Sequence, residues 1–184
     1  MDTIKKLYLS TDGRLSRKQF WLGFLGLLAL SIVLNLVSTP LGYSLAGGIP
    51  ALDPGADPAA IAVAMGEVMR RGAWLGLVLF LILAYPLYCL CVKRRHDRDS
   101  AGRDVLLALA LNVVILLIQA FGLGLTTIEA NNTAMPAPSM LFMIVSGITG
   151  LLGLYLLIVL GFLRGTPGSN SYGPDPVLGA AATV

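Results

Sequence analysis

The chain's single histidine, His96, lies in a short charged segment between two long apolar runs. The segment reads "KRRHDRDSAGR", residues 93–103, and Asp97 directly follows the histidine. A carboxylate can orient an imidazole for acid–base catalysis. Adjacent residues rarely face each other, however, and the sequence fixes no serine or cysteine nucleophile nearby. The pattern therefore favours a structural or interfacial role for His96, and we predict no catalytic residue.

A metal site is the second chemistry that this region could support, with Cys89, Cys91, His96 and Asp97 as ligands. Their spacing, C-x-C-x4-H-D, does not match the usual zinc patterns. Two cysteines are also too few for a disulfide scaffold. We therefore expect free thiols within a helix, and neither a metal nor another cofactor.

The segment also holds five of the thirteen Lys and Arg residues of the chain. Such bases set membrane topology, and they attract anionic lipid headgroups by roughly 1 kcal/mol each. A specific role, with an anionic lipid, a phosphate-bearing ligand or an acidic partner, stays open. Lipid attraction alone does not require the aspartates at 97, 99 and 104. Ion pairs between these aspartates and Arg14, Arg17 or Arg95 would explain their presence. Such pairs would form part of a folded cytoplasmic cap.

Four uncharged apolar runs must position these residues, and each is long enough to cross a bilayer: about 20–39, 73–92, 105–125 and 140–163. About 20 helical residues span a hydrocarbon core of roughly 30 Å. The chain is 56% hydrophobic and 12% charged, whereas soluble domains carry about 25% charged residues. The predicted fold class is all-α, an integral membrane four-helix bundle.

The bases are distributed unequally over the segments that flank the spans. Eleven lie in the N-terminal segment, the central loop and the C-terminal tail, and two, Arg70 and Arg71, lie in the first outer loop. This positive-inside bias predicts that both termini and the central loop are cytoplasmic. Because the bases lie beside apolar runs, the net charge of +3 does not indicate a nucleic-acid partner.

Local signals predict where several elements begin. Ser16 and Gln19 have capping-box spacing before the first span, and Asp99 or Ser100 would cap the third. Asp57 and Pro58 would open a short amphipathic helix over about 57–70. The outer loop 126–139 reads as irregular. Residues 166–184, rich in Gly, Pro and Ser, would form a turn-rich cytoplasmic tail after a membrane domain of residues 1–165.

No Asp, Glu, Lys, Arg or His lies within the four predicted spans. Ion-coupled transporters usually keep an ionisable group at membrane depth, so the sequence argues against that class. A passive pore for a neutral solute stays open. The amides of Asn35, Asn112 and Gln119 would then line a polar path, and otherwise they would hydrogen-bond between helices.

Three stretches together resemble one family: "GRLSRKQFW" (13–21), "KRRHDRDSAG" (93–102) and "GTPGSNSYGPDP" (165–176). They are similar to the opening, central and closing motifs of the bacterial inner-membrane group catalogued as domain of unknown function eight hundred and five. The chain departs from the pattern where Arg103 and Asp104 replace a tryptophan pair. The resemblance implies a multi-pass protein of the bacterial inner (plasma) membrane and no established activity.

Since the threading places all three motifs on the cytoplasmic side, we predict that they form one cluster. Its members are Arg14, Arg17, Arg94, His96, Asp97, Asn170, Tyr172 and Asp175. The favoured function is a non-enzymatic interaction or accessory subunit with this charged cap, with the lipid bilayer and a membrane protein as its partners. The alternative is a small passive transporter or channel, or an anionic-lipid-binding protein.

Overall fold

The structure is a computed structural model that describes residues 2–38, 58–130 and 133–177. It is mostly helical. The helices are α1 (Asp2–Tyr8), α2 (Arg17–Ser38), α3 (Pro58–His96), α4 (Arg103–Ala120) and α5 (Met140–Leu157), and a π-helical turn at Ile158–Phe162 continues α5. Four stretches are long and apolar enough to cross a membrane, as expected of a multi-pass membrane protein: Arg17–Ser38, Val63–His96, Arg103–Ala120 and Met140–Phe162.

The prediction of an all-α chain is wrong at one place, where strands replace the loop 126–139 that was expected to be irregular and Leu125 that was expected to end the third span. Strands β1 (Leu125–Ala130) and β2 (Thr133–Pro138) pair there as an antiparallel hairpin, with Thr127 opposite Pro136 and Leu125 opposite Pro138. The β-branched run Thr126-Thr127-Ile128 favours extended backbone. A two-stranded sheet has only edge strands, and edge strands tolerate prolines without a ladder hydrogen bond.

Helix α3 is a single helix of 39 residues. The segment 57–70, expected as a separate short helix, forms its first part from Pro58 onward. Proline fits the first helical turn, where its missing N–H has no partner to lose. Gly72 alone does not interrupt a helix, and exposed ion pairs from Glu67 to Arg70 and Arg71 (both 2.7 Å) lie on the adjoining turns.

The capping box of α2 is confirmed. The Ser16 amide donates to Gln19 Oε1 at 3.1 Å, and the Gln19 amide donates to Ser16 Oγ at 3.4 Å. The expected cap of the third span is wrong. Asp99, with φ 54°, is in the left-handed region, and the amides of Asp99 and Ser100 donate to His96 O and Arg95 O. This is a Schellman motif, so Asp99 terminates α3 instead of starting α4.

The chain divides into two compact units. The first takes its described residues from 2–31, 81–110 and 150–177, and the second from 32–38, 58–80, 111–130 and 133–149. The first unit contains an apolar core, whose members are Leu15, Phe20, Leu27, Leu90, Cys91, Val105, Leu156 and Leu160. Cys89 and Cys91 are free thiols, both buried in α3.

The second unit has its own small packed centre. Ala73, Leu77, Ile118 and Ala120 are buried, and the indole of Trp74 meets the ring of Phe121 edge-on at 5.4 Å between centroids. The hairpin joins α5 through Ser139, whose amide donates to Gly124 O at 3.0 Å and whose hydroxyl accepts from the Phe142 amide at 3.2 Å. Ser139 therefore closes the hairpin and caps α5.

Candidate functional site

Asp97, one residue past the end of α3, lies between two arginine side chains of the first unit. Its Oδ1 accepts from Arg14 Nε at 3.1 Å and from Arg14 Nη2 at 2.9 Å, and its Oδ2 accepts from Arg94 Nη1. The side chains of Arg14, Arg94 and Asp97 are 1%, 0% and 6% exposed. We call these three residues the arginine–aspartate cluster. Of the arginines predicted to pair with the aspartates at 97, 99 and 104, Arg14 pairs with Asp97 here and Arg95 pairs with Asp104 (3.0 Å) nearby.

Two guanidinium groups paired with one carboxylate leave the cluster with a net positive charge. Hydrogen bonds from the arginines to backbone carbonyls stabilise this charge. Arg14 donates to Thr166 O at 2.6 Å and Gly168 O at 2.5 Å. Arg94 donates to Leu160 O at 2.8 Å and also to Leu163 O. Burying a charge is unfavourable unless it is paired and hydrogen-bonded, and this network meets that condition.

His96 lies beside the cluster and binds the chain's two end segments. Its Nδ1 is 3.3 Å from Gly13 O, and because a carbonyl only accepts, the contact requires the proton on Nδ1. The imidazole stacks on the ring of Tyr172, with centroids 3.8 Å apart and planes 8° apart. The His96 carbonyl accepts from Asn170 Nδ2 at 2.9 Å. The histidine thus acts as a platform for residues 164–177, which we call the tail.

The tail is shaped by its own side chains. Asn170 Oδ1 accepts from the Tyr172 amide at 2.9 Å. Asp175 accepts from the Gly168 amide at 3.3 Å and from the Val177 amide at 2.9 Å. The Thr166 amide then donates to Asp97 O at 2.8 Å, which ties the tail to the cluster. Asn170 and Asp175 therefore organise the backbone that presents carbonyls to Arg14.

Arg17, one of the eight residues predicted to form the cytoplasmic cluster, lies at the edge of these contacts. Its side chain is exposed and donates to Phe162 O at 3.3 Å. Among residues 2–38, 58–130 and 133–177 it has no carboxylate partner, so the predicted ion pair of Arg17 is absent from this part of the chain. The structure thus brings seven of the eight predicted residues into one contact network, and Arg17 contacts the neighbouring π-helical turn.

Residues 8–174 match a family model described as Protein of unknown function (DUF805). The chain belongs to this family. The matched range contains the whole arginine–aspartate cluster, His96, Asn170 and Tyr172, and it stops one residue before Asp175. No curated protein and no solved structure matches the chain. DUF805 membership therefore identifies the family and assigns no activity.

The π-helical turn of this DUF805 chain and the residues that follow it accept hydrogen bonds from further side chains. These partners could not be predicted from the sequence. Trp21 Nε1 donates to Gly161 O at 3.1 Å, and Arg98 Nη1 donates to Arg164 O at 2.7 Å. Together with Arg94 and Arg17, they give each carbonyl from residue 160 to 164 a side-chain donor. A helix end leaves such carbonyls without partners, so these side chains act as its cap. The opening motif contains Trp21, but the sequence did not indicate that Gly161 O would be its acceptor.

Lys93 is another residue that the sequence analysis did not single out. It is 3% exposed, and its Nζ donates to Lys6 O at 2.5 Å and Leu7 O at 2.6 Å. Those carbonyls end α1, where a cation is favoured by the helix dipole. Tyr8 anchors the same helix, because its hydroxyl donates to Gly23 O at 3.0 Å, and burial raises the pKa of that hydroxyl.

The amides proposed to line a polar path lie in the second unit. Gln119 borders a cavity of about 140 Å³ together with Met69, Arg70 and Phe142. Asn35 and Asn112 are half-buried on α2 and α4. In the described parts of the chain, no group of three or more His, Cys, Asp or Glu side chains could hold a metal ion.

Proposed function

We propose that this DUF805 protein resides in the bacterial inner membrane with both termini and residues 93–103 in the cytoplasm. The support is the distribution of bases, eleven on the proposed inner side against two on the outer side. Lys and Arg near span ends favour the cytoplasmic face. The arginine–aspartate cluster, His96 and the tail then lie at the cytoplasmic surface of the membrane.

Reporter fusions test this orientation. Alkaline phosphatase, which is active only outside the cytoplasm, should be inactive when fused to the C-terminus of the full chain and active when fused after Ile128. Green fluorescent protein should give the reverse pattern. Alkaline phosphatase activity at the C-terminus would overturn the orientation.

We also propose that the protein works by binding, as an interaction or accessory subunit, and not by catalysis. The supporting observation is the saturation of the arginine–aspartate cluster. Both oxygens of Asp97 accept from arginines, and His96 is engaged by Gly13 O and by the ring of Tyr172. A general base needs a lone pair aimed at a substrate. Both oxygens of Asp97 already accept from arginines, and among the described residues no hydroxyl or thiol is hydrogen-bonded to the His96 imidazole. The cluster itself is buried, so it holds the surrounding surface in a preorganised arrangement that a partner can meet without reordering it.

The partner's docking residues would be exposed charges close to the cluster in sequence, such as Lys18, four residues after Arg14, and Arg103, six residues after Asp97. Purification of the tagged full chain in mild detergent should recover a stoichiometric membrane protein. Lys18→Glu with Arg103→Glu should remove it, while Arg71→Glu, an exposed site in the second unit, should retain it. Recovery of the lone chain, or equal loss with all variants, would overturn the proposal.

A further inference from the structure

A groove of about 740 Å³ opens beside the arginine–aspartate cluster, within the first unit. Residues of α1, the following loop, the start of α2 and the tail form its walls. Small-molecule sites typically measure about 300–1,000 Å³. The groove is therefore large enough for a lipid headgroup with part of its glycerol.

The groove presents charges of both signs. The Lys6 side chain is exposed, and within the described chain no carboxylate lies at ion-pair distance from it. Asp12 is also exposed and accepts one long hydrogen bond, from Ser10 Oγ at 3.4 Å. Asp175 adds a second carboxylate to the wall. An anion alone would be repelled by these carboxylates, and a cation alone by Lys6, so a ligand carrying both charges fits best.

Arg14 and Lys93 also border the groove, but their role there differs from that of Lys6. Both side chains are buried, and their nitrogens donate to backbone carbonyls. They add positive charge to the wall, but both are buried and the guanidinium of Arg14 is paired with Asp97. Lys6 is therefore the exposed cation that this groove offers to a phosphate.

The groove also reaches an apolar surface. Leu22, on the candidate membrane span Arg17–Ser38, forms part of its wall and is 62% exposed. Leucines exposed on a span face acyl chains. One concave surface thus joins a mixed-charge end to a lipid-facing helix, which is the polarity of a phospholipid.

We propose that the groove binds a zwitterionic phospholipid whose headgroup ends in a primary ammonium. Its phosphate lies toward Lys6, its ammonium lies toward Asp12 and Asp175, and an acyl chain follows Leu22. The inference goes beyond the proposed function, which rests on the arginine–aspartate cluster and requires no lipid ligand.

Native mass spectrometry of the purified full chain tests the site with three added lipids: phosphatidylethanolamine, phosphatidylglycerol and phosphatidylcholine. Phosphatidylethanolamine should bind more tightly than the other two by about tenfold, which corresponds to about 1.4 kcal/mol. Phosphatidylglycerol lacks the ammonium, and phosphatidylcholine lacks its N–H donors. Equal or tighter binding of phosphatidylglycerol would overturn the proposal.

Variants locate the site. Asp12→Asn should reduce the preference for phosphatidylethanolamine over phosphatidylglycerol, and Lys6→Gln should weaken both lipids. Lys5→Gln, on the same helix and also exposed but not part of the groove wall, is the matched control and should change neither. The thermal midpoint of each variant should match that of the parent protein. An unchanged lipid ratio in folded Asp12→Asn would refute the placement.

A final experiment distinguishes a bound lipid from a soluble molecule that carries the same phosphate and ammonium groups. Soluble phosphoethanolamine should fail to displace the lipid even in large excess, because it has no acyl chain to lie along Leu22. Displacement at equal concentrations would overturn the lipid assignment.

Discussion

Asp97 is the residue at which two buried arginines and the tail of the first unit meet. It is one carboxylate between two buried guanidinium groups, and its backbone carbonyl holds the tail through Thr166. Gly165 lies so close that a Cβ there would collide with the Asp97 carboxylate. The site therefore has little room for a larger or differently shaped side chain.

Asp97→Asn should lower the free energy of unfolding in detergent by about 3–5 kcal/mol, because it leaves buried arginines without a countercharge. The matched control is Asp104→Asn, which loses the more exposed ion pair with Arg95 and should lose about 1 kcal/mol. Denaturant titration followed by circular dichroism measures both. Equal losses would show that burial does not distinguish the two pairs.

At the scale of elements, the π-helical turn after α5 depends on a close approach between α5 and α2. A Cβ at Gly161 would be 2.7 Å from Trp21 Cζ2, whereas a Cβ at Gly153 would meet nothing within 4 Å. The absence of a side chain at residue 161 lets the indole reach the Gly161 carbonyl.

Gly161→Ala should therefore destabilise the protein by about 1–3 kcal/mol, the usual effect of overpacking. Gly153→Ala, in the same chain segment, should be neutral or stabilise the protein by up to about 1 kcal/mol through helix propensity. Thermal unfolding in one detergent compares the two variants. A greater loss from Gly153→Ala would contradict this account.

The sequence predicted well those features that depend on side-chain type. Apolar length marked the four long helices, and Ser16 and Gln19 marked the start of α2. Charge complementarity predicted ion pairs for Arg14 and Arg95 without specifying which aspartate each would bind. The sequence did not predict the hydrogen bonds that side chains donate to backbone carbonyls. Every residue has a carbonyl, so no residue type revealed that Trp21 and Lys93 would cap helix ends.

Two further predictions were wrong because one residue type is compatible with two different local structures. The prolines at 136 and 138 argued against strands, but two edge strands accommodate them. Asp99 resembled the start of a helix because aspartate is a common N-cap. Aspartate also tolerates left-handed backbone, and here that second property prevails.

For the whole molecule, the main feature is the small share of apolar surface that is buried within the protein. The most hydrophobic window of each candidate span is only 17–22% buried, and large apolar residues such as Leu36 and Leu151 are 65% and 72% exposed. Soluble proteins rarely expose contiguous apolar surface on this scale. Acyl chains must cover it.

Tryptophan quenching tests that coverage. Trp74 lies in the candidate span Val63–His96 and is 42% exposed. In a Trp21→Phe background reconstituted with bromine-labelled acyl chains, Trp74 fluorescence should fall strongly, while aqueous iodide should have little effect. Strong quenching by iodide would contradict a span at this position.

The contacts of Arg14 also impose an order on biosynthesis. Its acceptors Thr166 and Gly168 lie 152 and 154 residues downstream, so they leave the ribosome after all four long helices. Until then, Arg14 lacks these two acceptors, and the surface around His96 lacks Tyr172. A translation product that stops before residue 166 would therefore keep the Arg14–Asp97 pair but leave the Arg14 guanidinium without two of its backbone acceptors.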